Sequence, residues 1–532
     1  MTSHRGDEPC GINMNSSSLR MMKVLVLLLS ITFIHAEERG RDYEKSKVCK
    51  EFTNLGKDDF RSLSFVLYSR KFPSGTFEQV KALVDEVVSL TETCCDMKAD
   101  PNCYDTRTSK LSIRSCENDA PFPKHPDIGK CCSQEGLERK LCMAALTHPP
   151  QEFPTYLEPS NNEICDSFRM DPRGFADKFL YEYSSNYGQA PLPLLVSYTK
   201  NYLSMVGTCC TSDNPTACFV TERLQNKHLS LLTTMSNRVC SQFAIYGIKK
   251  TRFSYIVKFS QKVPTANVED VVQLAEDMTN VLSKCCNSIL EDCMANALAE
   301  HIVKVCEKLA TKDKRFEHCC AESSPMDIFL CIYSMPAAQK IKLPALFKPR
   351  DEDICVLEEN KVIDKYTYEV SRRNPNIPEV FITKLHELMH TVLSECCKAV
   401  EPNACLRSQR PLARNEMDLY LAKAEGLCGD YSQHTFTEYK KWLTEQFKTK
   451  FPKTNSKTIK EMVENQADFA SKCCLMNSPP LYCGTRIDTE TKNFCGHDSC
   501  LLSLGAARWR SGEREHRPWS QEDLSSNPPS DT

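Results

Sequence analysis

TFEQVKALVDEVVSLTETCCDMKADPNC (residues 76–103) decides the fold. Thr76 with Gln79 three residues on is a capping box, which opens a helix. Val80, Leu83, Val84 and Val87 then recur at the 3.6-residue period and give that helix one apolar face. It runs into the doublet Cys94-Cys95, and Cys103 follows shortly after. Neighbouring side chains on a helix point about 100° apart, so the doublet cannot easily close on itself. Each member needs a partner elsewhere, one upstream and one downstream.

Six further doublets follow the same plan, at 131/132, 209/210, 285/286, 319/320, 396/397 and 473/474. Each has a lone cysteine before it and another after it. Seven such units account for 28 of the 31 cysteines and leave Cys10, Cys495 and Cys500. The gap from opening cysteine to doublet runs 45, 15 and 44 residues, then 45, 13 and 41, then a single 45. This is an internal repeat of three units per domain, two domains complete and a third cut short. Opening cysteines recur after 191 residues (49 to 240) and 188 (240 to 428). Boundaries are expected near 227 and 414, giving domains over 37–227, 228–414 and 415–494. Fourteen disulfides are expected, and spacing alone leaves open which member of each doublet goes upstream. Zinc is the alternative use of clustered thiols, but its usual C-x2-C spacing is absent.

The rest of the chain reads as helix too. The stretch from Thr265 places Val268, Val271, Val272, Ala275, Met278 and Leu282 on one face before its own doublet. Glycine is scarce, 17 in 532 residues, and no Asn-Gly or Asp-Gly hairpin signal occurs. The expected class is all-α.

So many paired thiols point to an oxidising compartment. Met21-Met22-Lys23, the apolar run Val24–Ile34 and then His35-Ala36 have the form of a secretory signal over 21–36, too short to span a membrane. Residues 1–20 read as an upstream extension, and the mature chain is expected to begin near Glu37. With 67 basic and 70 acidic residues the charge is nearly balanced, which argues against a nucleic-acid partner. No N-glycosylation signal follows the leader.

The cysteine framework from Cys49 to Cys483 resembles that of the serum albumin family. Local stretches carry the same likeness: RGRDYEKSKVCKEF (39–52), LYSRKFPSGTFEQV (67–80), ADPNCYDTRTSKLS (99–112), GLERKLCMAAL (136–146) and NSPPLYC (477–483). The likeness covers residues 22–493, and the short third domain is similar to the branch of that family that carries vitamin D sterols. The resemblance implies albumin-like helical domains and a secreted plasma carrier for vitamin D and its hydroxylated metabolites. It implies a monomer that also sequesters monomeric actin through surfaces on all three domains. Fatty acids and a complement-derived chemotactic peptide are further implied partners, with no cofactor and no enzymatic activity. It also implies the pairing: the second cysteine of each doublet goes upstream and the first goes downstream. That gives Cys49–Cys95, Cys94–Cys103, Cys116–Cys132, Cys131–Cys142, Cys165–Cys210 and Cys209–Cys218 in the first domain. The second takes Cys240–Cys286, Cys285–Cys293, Cys306–Cys320, Cys319–Cys331, Cys355–Cys397 and Cys396–Cys405. The third takes Cys428–Cys474 and Cys473–Cys483.

In the family the sterol lies in a groove on the first domain. The matching hydroxyl partners are Tyr68, Ser112 and the backbone of Met143, with apolar lining from Phe60, Leu63, Val66, Leu67 and Leu111. Position 181 carries Tyr181 where close relatives usually have Trp at the pocket's edge. Phe60, Leu63 and Leu67 fall at i, i+3 and i+7 on one helix face, a spacing that ordinary core also has. A secosteroid burying ~400 Å² gains about 10 kcal/mol gross at roughly 25 cal/mol per Å², less the cost of association. Hydroxyl partners then confer selectivity, because a buried hydroxyl left unpaired is penalised.

A nonspecific fatty-acid carrier of albumin type is the nearer rival reading. The remote one is a zinc peptidase, since His386-Glu387-Leu388-Met389-His390 completes H-E-x-x-H. An acid at the place of Glu387 recurs before other doublets, as Asp85, Glu276 and Glu464. It therefore reads as part of the repeat, with Leu388 and Met389 as core and the histidines partly exposed. The tail over 495–532 lies beyond the resemblance and reads as disordered, with Cys495 and Cys500 able to pair.

Overall fold

The computed structural model describes residues 41–147, 150–345, 350–356 and 359–492, and every regular element among them is an α-helix. The leader, the upstream extension and the tail with Cys495 and Cys500 lie outside the described residues. The first repeat holds α1 (Arg41–Lys71), α2 (Phe77–Cys94), α3 (Cys103–Arg114), α4 (Ile128–Cys132), α5 (Gly136–Ala145), α6 (Asn161–Met170), α7 (Pro172–Asn186), α8 (Leu192–Cys209) and α9 (Pro215–Gln225). The second holds α10 (Lys227–Lys262), α11 (Val268–Cys285), α12 (Cys293–Leu309), α13 (Lys314–Cys320), α14 (Pro325–Ser334), α15 (Asp351–Ile354), α16 (Glu359–Arg373) and α17 (Glu379–Cys396). Helix α18 (Pro402–Ser432) leads into the third, completed by α19 (Phe436–Lys450), α20 (Ser456–Cys473) and α21 (Pro480–Lys492).

The chain forms two compact units. One contains the residues through Ser241 together with Lys284–Asn296, and the other contains Gln242–Ser283 and the residues from Ala297 onward. The core of the first joins Phe60, Phe65, Val66, Val80 and Val84 to Ile164, Phe179, Leu180, Leu195 and Phe219, and Ile289 packs against it. Each such side chain, fully buried, stabilises the fold by about 1.5–3 kcal/mol.

All fourteen cysteine pairs of the repeat are bonded, with Cα–Cα distances from 5.1 to 5.8 Å, well inside the range a disulfide tolerates. Every doublet sends its second cysteine upstream and its first downstream, as in Cys49–Cys95 and Cys94–Cys103. Helix α2 begins with both halves of the Thr76–Gln79 capping box made.

The cysteine register makes the repeats comparable residue by residue. Cys49 and Cys94 correspond to Cys240 and Cys285, 191 residues on, and to Cys428 and Cys473, 379 residues on. At the first offset, Gly56 (φ 76°) and Gly247 (φ 66°) break α1 and α10 at the same point. Positive φ favours glycine there. The third repeat has Thr435 at this position and breaks the chain outright, restarting α19 with a Thr435–Glu438 capping box.

The same register exposes a buried acid. Glu51 is 1% exposed, its Oε2 has no hydrogen-bond partner, and burial, opposed by nearby Lys50, pushes its carboxyl up to about 7. The corresponding residue of the second repeat is Gln242, which accepts from Lys258 Nζ at 3.3 Å. A carboxyl raised from about 4.5 contributes stability that is full below 4.5 and lost as pH rises through 7. Glu51→Gln should therefore raise stability by ~1–3 kcal/mol at pH 8 and leave it unchanged at pH 4.5. Urea unfolding at the two pH values checks this, and an equal gain at both would rule the account out.

Candidate sterol groove and the decoy histidines

Tyr68 lies in the last turn of α1, where two apolar clusters meet. It packs against the main core and also against the small cluster of Phe72, Leu83 and Phe122, which Leu111 of α3 joins. Burial pushes its phenol up to about 12. Tyr104, on the first turn of α3, is raised further by burial, with Glu44 and Tyr68 adding to it. The two phenols are thus close enough to influence one another electrostatically where α1 meets α3. Tyr104 escaped sequence reasoning because nothing in its local pattern separates it from a surface tyrosine.

Ser112 is buried, and its hydroxyl donates to the Ser109 carbonyl at 2.8 Å. The Met143 carbonyl, in the last turn of α5, accepts from Lys71 Nζ, which also donates to the Ala144 carbonyl at 3.1 Å. Burial lowers the Lys71 ammonium to about 8. A carbonyl oxygen has two lone pairs, so Met143 keeps capacity for one more donor. The clamp is built into the repeat: Lys262, 191 residues on, donates to the Ile332 and Tyr333 carbonyls at 2.7 and 3.0 Å. Each pair of acceptors follows the downstream cysteine of the second unit, Cys142 or Cys331. A cation at a helix C-terminus also complements the helix dipole.

The remaining candidates divide between the half-buried margin and the core. Leu63, Leu67 and Leu111 are half-buried. Phe60 and Val66 are 5% and 1% exposed and belong to the main core, where Phe60 meets Phe52 edge-on at 5.2 Å. Tyr181 sits against Phe77 at 5.6 Å between ring centres, and its hydroxyl donates to the Gly75 carbonyl at 2.7 Å. Helices α3 and α5 are tied by Lys140, which meets Asp105 at 2.8 Å.

Glu387 occupies a different setting from a catalytic base. Burial raises its carboxyl, but Lys250 and Lys384 outweigh that and hold it below the usual range; Lys384 is at 2.7 Å. The first repeat carries the same bridge with its charges exchanged: Lys200, nine residues before Cys209 as Glu387 is before Cys396, pairs with Asp59 at 3.7 Å. Asp59 corresponds to Lys250 at the 191-residue offset. Glu387 is therefore a member of a repeated interhelix ion pair. His386 packs on Phe253 at 3.7 Å between ring centres, and burial, with His390 beside it, lowers it to about 4. His390 is exposed, and no group of three or more potential ligands converges among the described residues. Leu388 and Met389 turn out half-buried, because the stripe that reaches the core runs through Phe381, Ile382, Leu385, Val392 and Leu393.

Comparison with known proteins agrees with this architecture. The profile of the serum albumin family matches residues 47–219 and 238–406, and that of vitamin D binding protein, domain III, matches 426–490. The mouse vitamin D-binding protein is 62% identical over 470 residues, covering 88% of this chain and 98% of that protein. The human one is 60% identical over 474 residues, covering 89% and 100%. Rabbit albumin is 25% identical over 474 residues, covering 85% and 76%. The chain belongs to the serum albumin family and stands beside that family's vitamin D-binding proteins, its described residues all-α with fourteen disulfides and its third domain short.

Proposed function

We propose that the chain is a secreted plasma carrier that binds one vitamin D sterol, or a hydroxylated metabolite, at the α1–α3–α5 groove of its first repeat. The observation that carries this reading is the 62% identity to a vitamin D-binding protein across nearly that protein's whole length. The repeat itself supports the location. The position of Tyr68 is Phe259 in the second repeat and Phe447 in the third, neither of which offers a hydroxyl. The position of Leu67 is Lys258 in the second repeat, 9% exposed and lying 4.9 Å over the Tyr255 ring, and Gln446 in the third. Of the three, the first alone has an apolar side chain followed by a phenol at this pair of positions.

In this reading Tyr68, Ser112 and the Met143 carbonyl bind sterol hydroxyls, Leu63, Leu67 and Leu111 form the wall, Phe60 and Val66 back it, and Tyr181 closes the edge. Tyr68→Phe leaves a bound hydroxyl without its partner, a loss of ~1–3 kcal/mol, or about tenfold to a hundredfold in affinity. Equilibrium titration with 25-hydroxylated vitamin D measures it. An unchanged Kd would move the site elsewhere, and no binding by the unsubstituted protein would end the carrier reading. Sequestration of monomeric actin is part of the same proposal, checked by the critical concentration of actin polymerisation with added protein. Mixed fatty acids alone in an organic extract of the purified protein would favour the albumin-type rival.

A further inference from the structure

The first two repeats share a docking device, and the third presents its receiving side alone among the described residues. In the first repeat, Asp177 of α7 grips Arg61 of α1 at 2.7 Å, and Arg61 also binds Asp85 of α2 at 2.5 Å. Four residues on, Tyr181 donates to the Gly75 carbonyl, in the turn closed by Gly75 N–H to Phe72 O. In the second repeat, Asp364 of α16 grips Arg252 of α10 at 2.5 Å, and Arg252 lies 3.6 Å from Glu276 of α11. Four residues on, Tyr368 donates to the Ala266 carbonyl at 2.5 Å, in the turn closed by Ala266 N–H to Val263 O. Both docking helices carry Asp-Lys-x-x-Tyr, at 177–181 and 364–368.

The third repeat preserves the receiving side at the 379-residue offset. Lys440 stands for Arg61, Glu464 for Asp85, and the two pair at 2.5 Å. Thr454 stands for Gly75, and its N–H closes the same turn onto Phe451 O at 3.0 Å. Among the described residues no helix lies on this face. It is instead a groove of about 740 Å³ between α19 and α20, lined by Lys440, Thr454 and Glu464 among others. Its floor is apolar, with Ile459 and Val463 buried, and Thr444 replaces the bulkier Phe65. Lys441, Lys448 and Lys460 surround it, so the lining carries four lysines against one acid.

We propose that this groove receives an amphipathic helix of a partner protein, one that presents an aspartate to Lys440 and, one turn later, a tyrosine to the Thr454 carbonyl, with further acids toward the outer lysines. The helix periodicity fits, since residues four apart share a face. A carboxylate on a buried-edge cation gives register, and the lysine rim adds attraction for acidic sequences.

The chain's own docking helix supplies the probe. A fluorescein-labelled peptide of residues 172–186 is titrated with the full-length protein and followed by anisotropy. Saturable binding is expected, weakened at least tenfold by Asp177→Lys or Tyr181→Ala in the peptide, and tightened about tenfold by Arg173→Glu with Lys178→Glu. Lys440→Glu in the protein should abolish binding of the parent peptide and restore that of the Asp177→Lys peptide. Because Lys440 also pairs with Glu464, the exposed double variant Lys448→Glu/Lys460→Glu serves as a second test, with helical content checked by circular dichroism. It should bind the acidic peptide at least tenfold more weakly. Equal binding of a scrambled peptide, or indifference to both protein variants, would overturn the proposal. So would binding that appears only after residues 493–532 are removed, which assigns the groove to the chain's own tail. Displacement of the peptide by its own equivalents of palmitate would assign it to an acyl chain, and peptide-independent dimers in sedimentation to a second copy.

Discussion

Asp177→Ala is expected to cost ~3–5 kcal/mol of stability, among the largest effects of any single substitution in the first repeat. Arg61 and Asp177 are 8% and 5% exposed, and three hydrogen bonds of 2.7–3.2 Å join them. Burial works against the Arg61 charge, but Asp177 and Asp85 more than compensate and hold the guanidinium above its ordinary range. The guanidinium also lies 5.1 Å from the Phe65 ring centre, inside the core. Removing Asp177 leaves that cation half-compensated where water does not reach it. Removing Asp85 is different: its side chain is 46% exposed and also meets Lys81, so Asp85→Ala should cost no more than about 1 kcal/mol. Urea unfolding followed by circular dichroism compares the two. Similar small shifts for both would mean that the buried pair contributes little. A double substitution Arg61→Met/Asp177→Leu should recover most of the loss, since an apolar pair of similar volume is often neutral in such a place.

This ion pair also shows where reading the sequence stops. The recurrence of an acid nine residues before a doublet is visible in the chain, and it argues against Glu387 as a catalytic base. Its partners are not visible, because Arg61 is 24 residues from Asp85 and 116 from Asp177. The Asp-Lys-x-x-Tyr pattern is short and its register drifts: Asp177 follows Cys165 by 12 residues, whereas Asp364 follows Cys355 by nine. Only the fold aligns them. Helix identity was far easier, since the cysteine spacing and the 3.6-residue period of segments such as 76–95 state it twice over.

The proposed sterol site is read from family likeness, and local sequence adds little to it. Tyr68 and Leu111 do meet around Phe72, Leu83 and Phe122. Nothing in the local sequence says that Lys71 reaches the Met143 and Ala144 carbonyls, 72 and 73 residues away. The same likeness implies that Tyr181 stands at the edge of a pocket. Its hydroxyl also does work that the repeat demands, holding the turn before α2, and a tryptophan there would have to relinquish that bond to Gly75. Spacing likewise did not distinguish Phe60 and Val66, in the core, from Leu63 and Leu67, at its margin, because all four belong to one amphipathic helix.

The disulfides should separate stability from sterol binding. Cys165–Cys210 closes a separation of 45 residues and Cys131–Cys142 one of 11. The chain-entropy estimate assigns them ~4 and ~3 kcal/mol, because longer loops gain more when closed. Their places in the fold predict the opposite ranking for ligand. Cys165–Cys210 lies in the main core beside Ile164 and Val206. Cys131–Cys142 ties α4 to α5 one residue before Met143, and α5 also holds the Lys71 clamp. Cys165→Ala/Cys210→Ala should therefore unfold at the lower urea concentration and keep its sterol Kd. Cys131→Ala/Cys142→Ala should unfold later yet bind sterol about tenfold more weakly, since α5 loses the bond that sets its register against α4. Urea unfolding and sterol titration on the two double variants decide the matter. If both lose affinity in proportion to stability, the groove has no privileged wall and simply follows global folding. If neither loses affinity, α5 contributes nothing to the bound sterol, and Met143 leaves the set of hydroxyl partners.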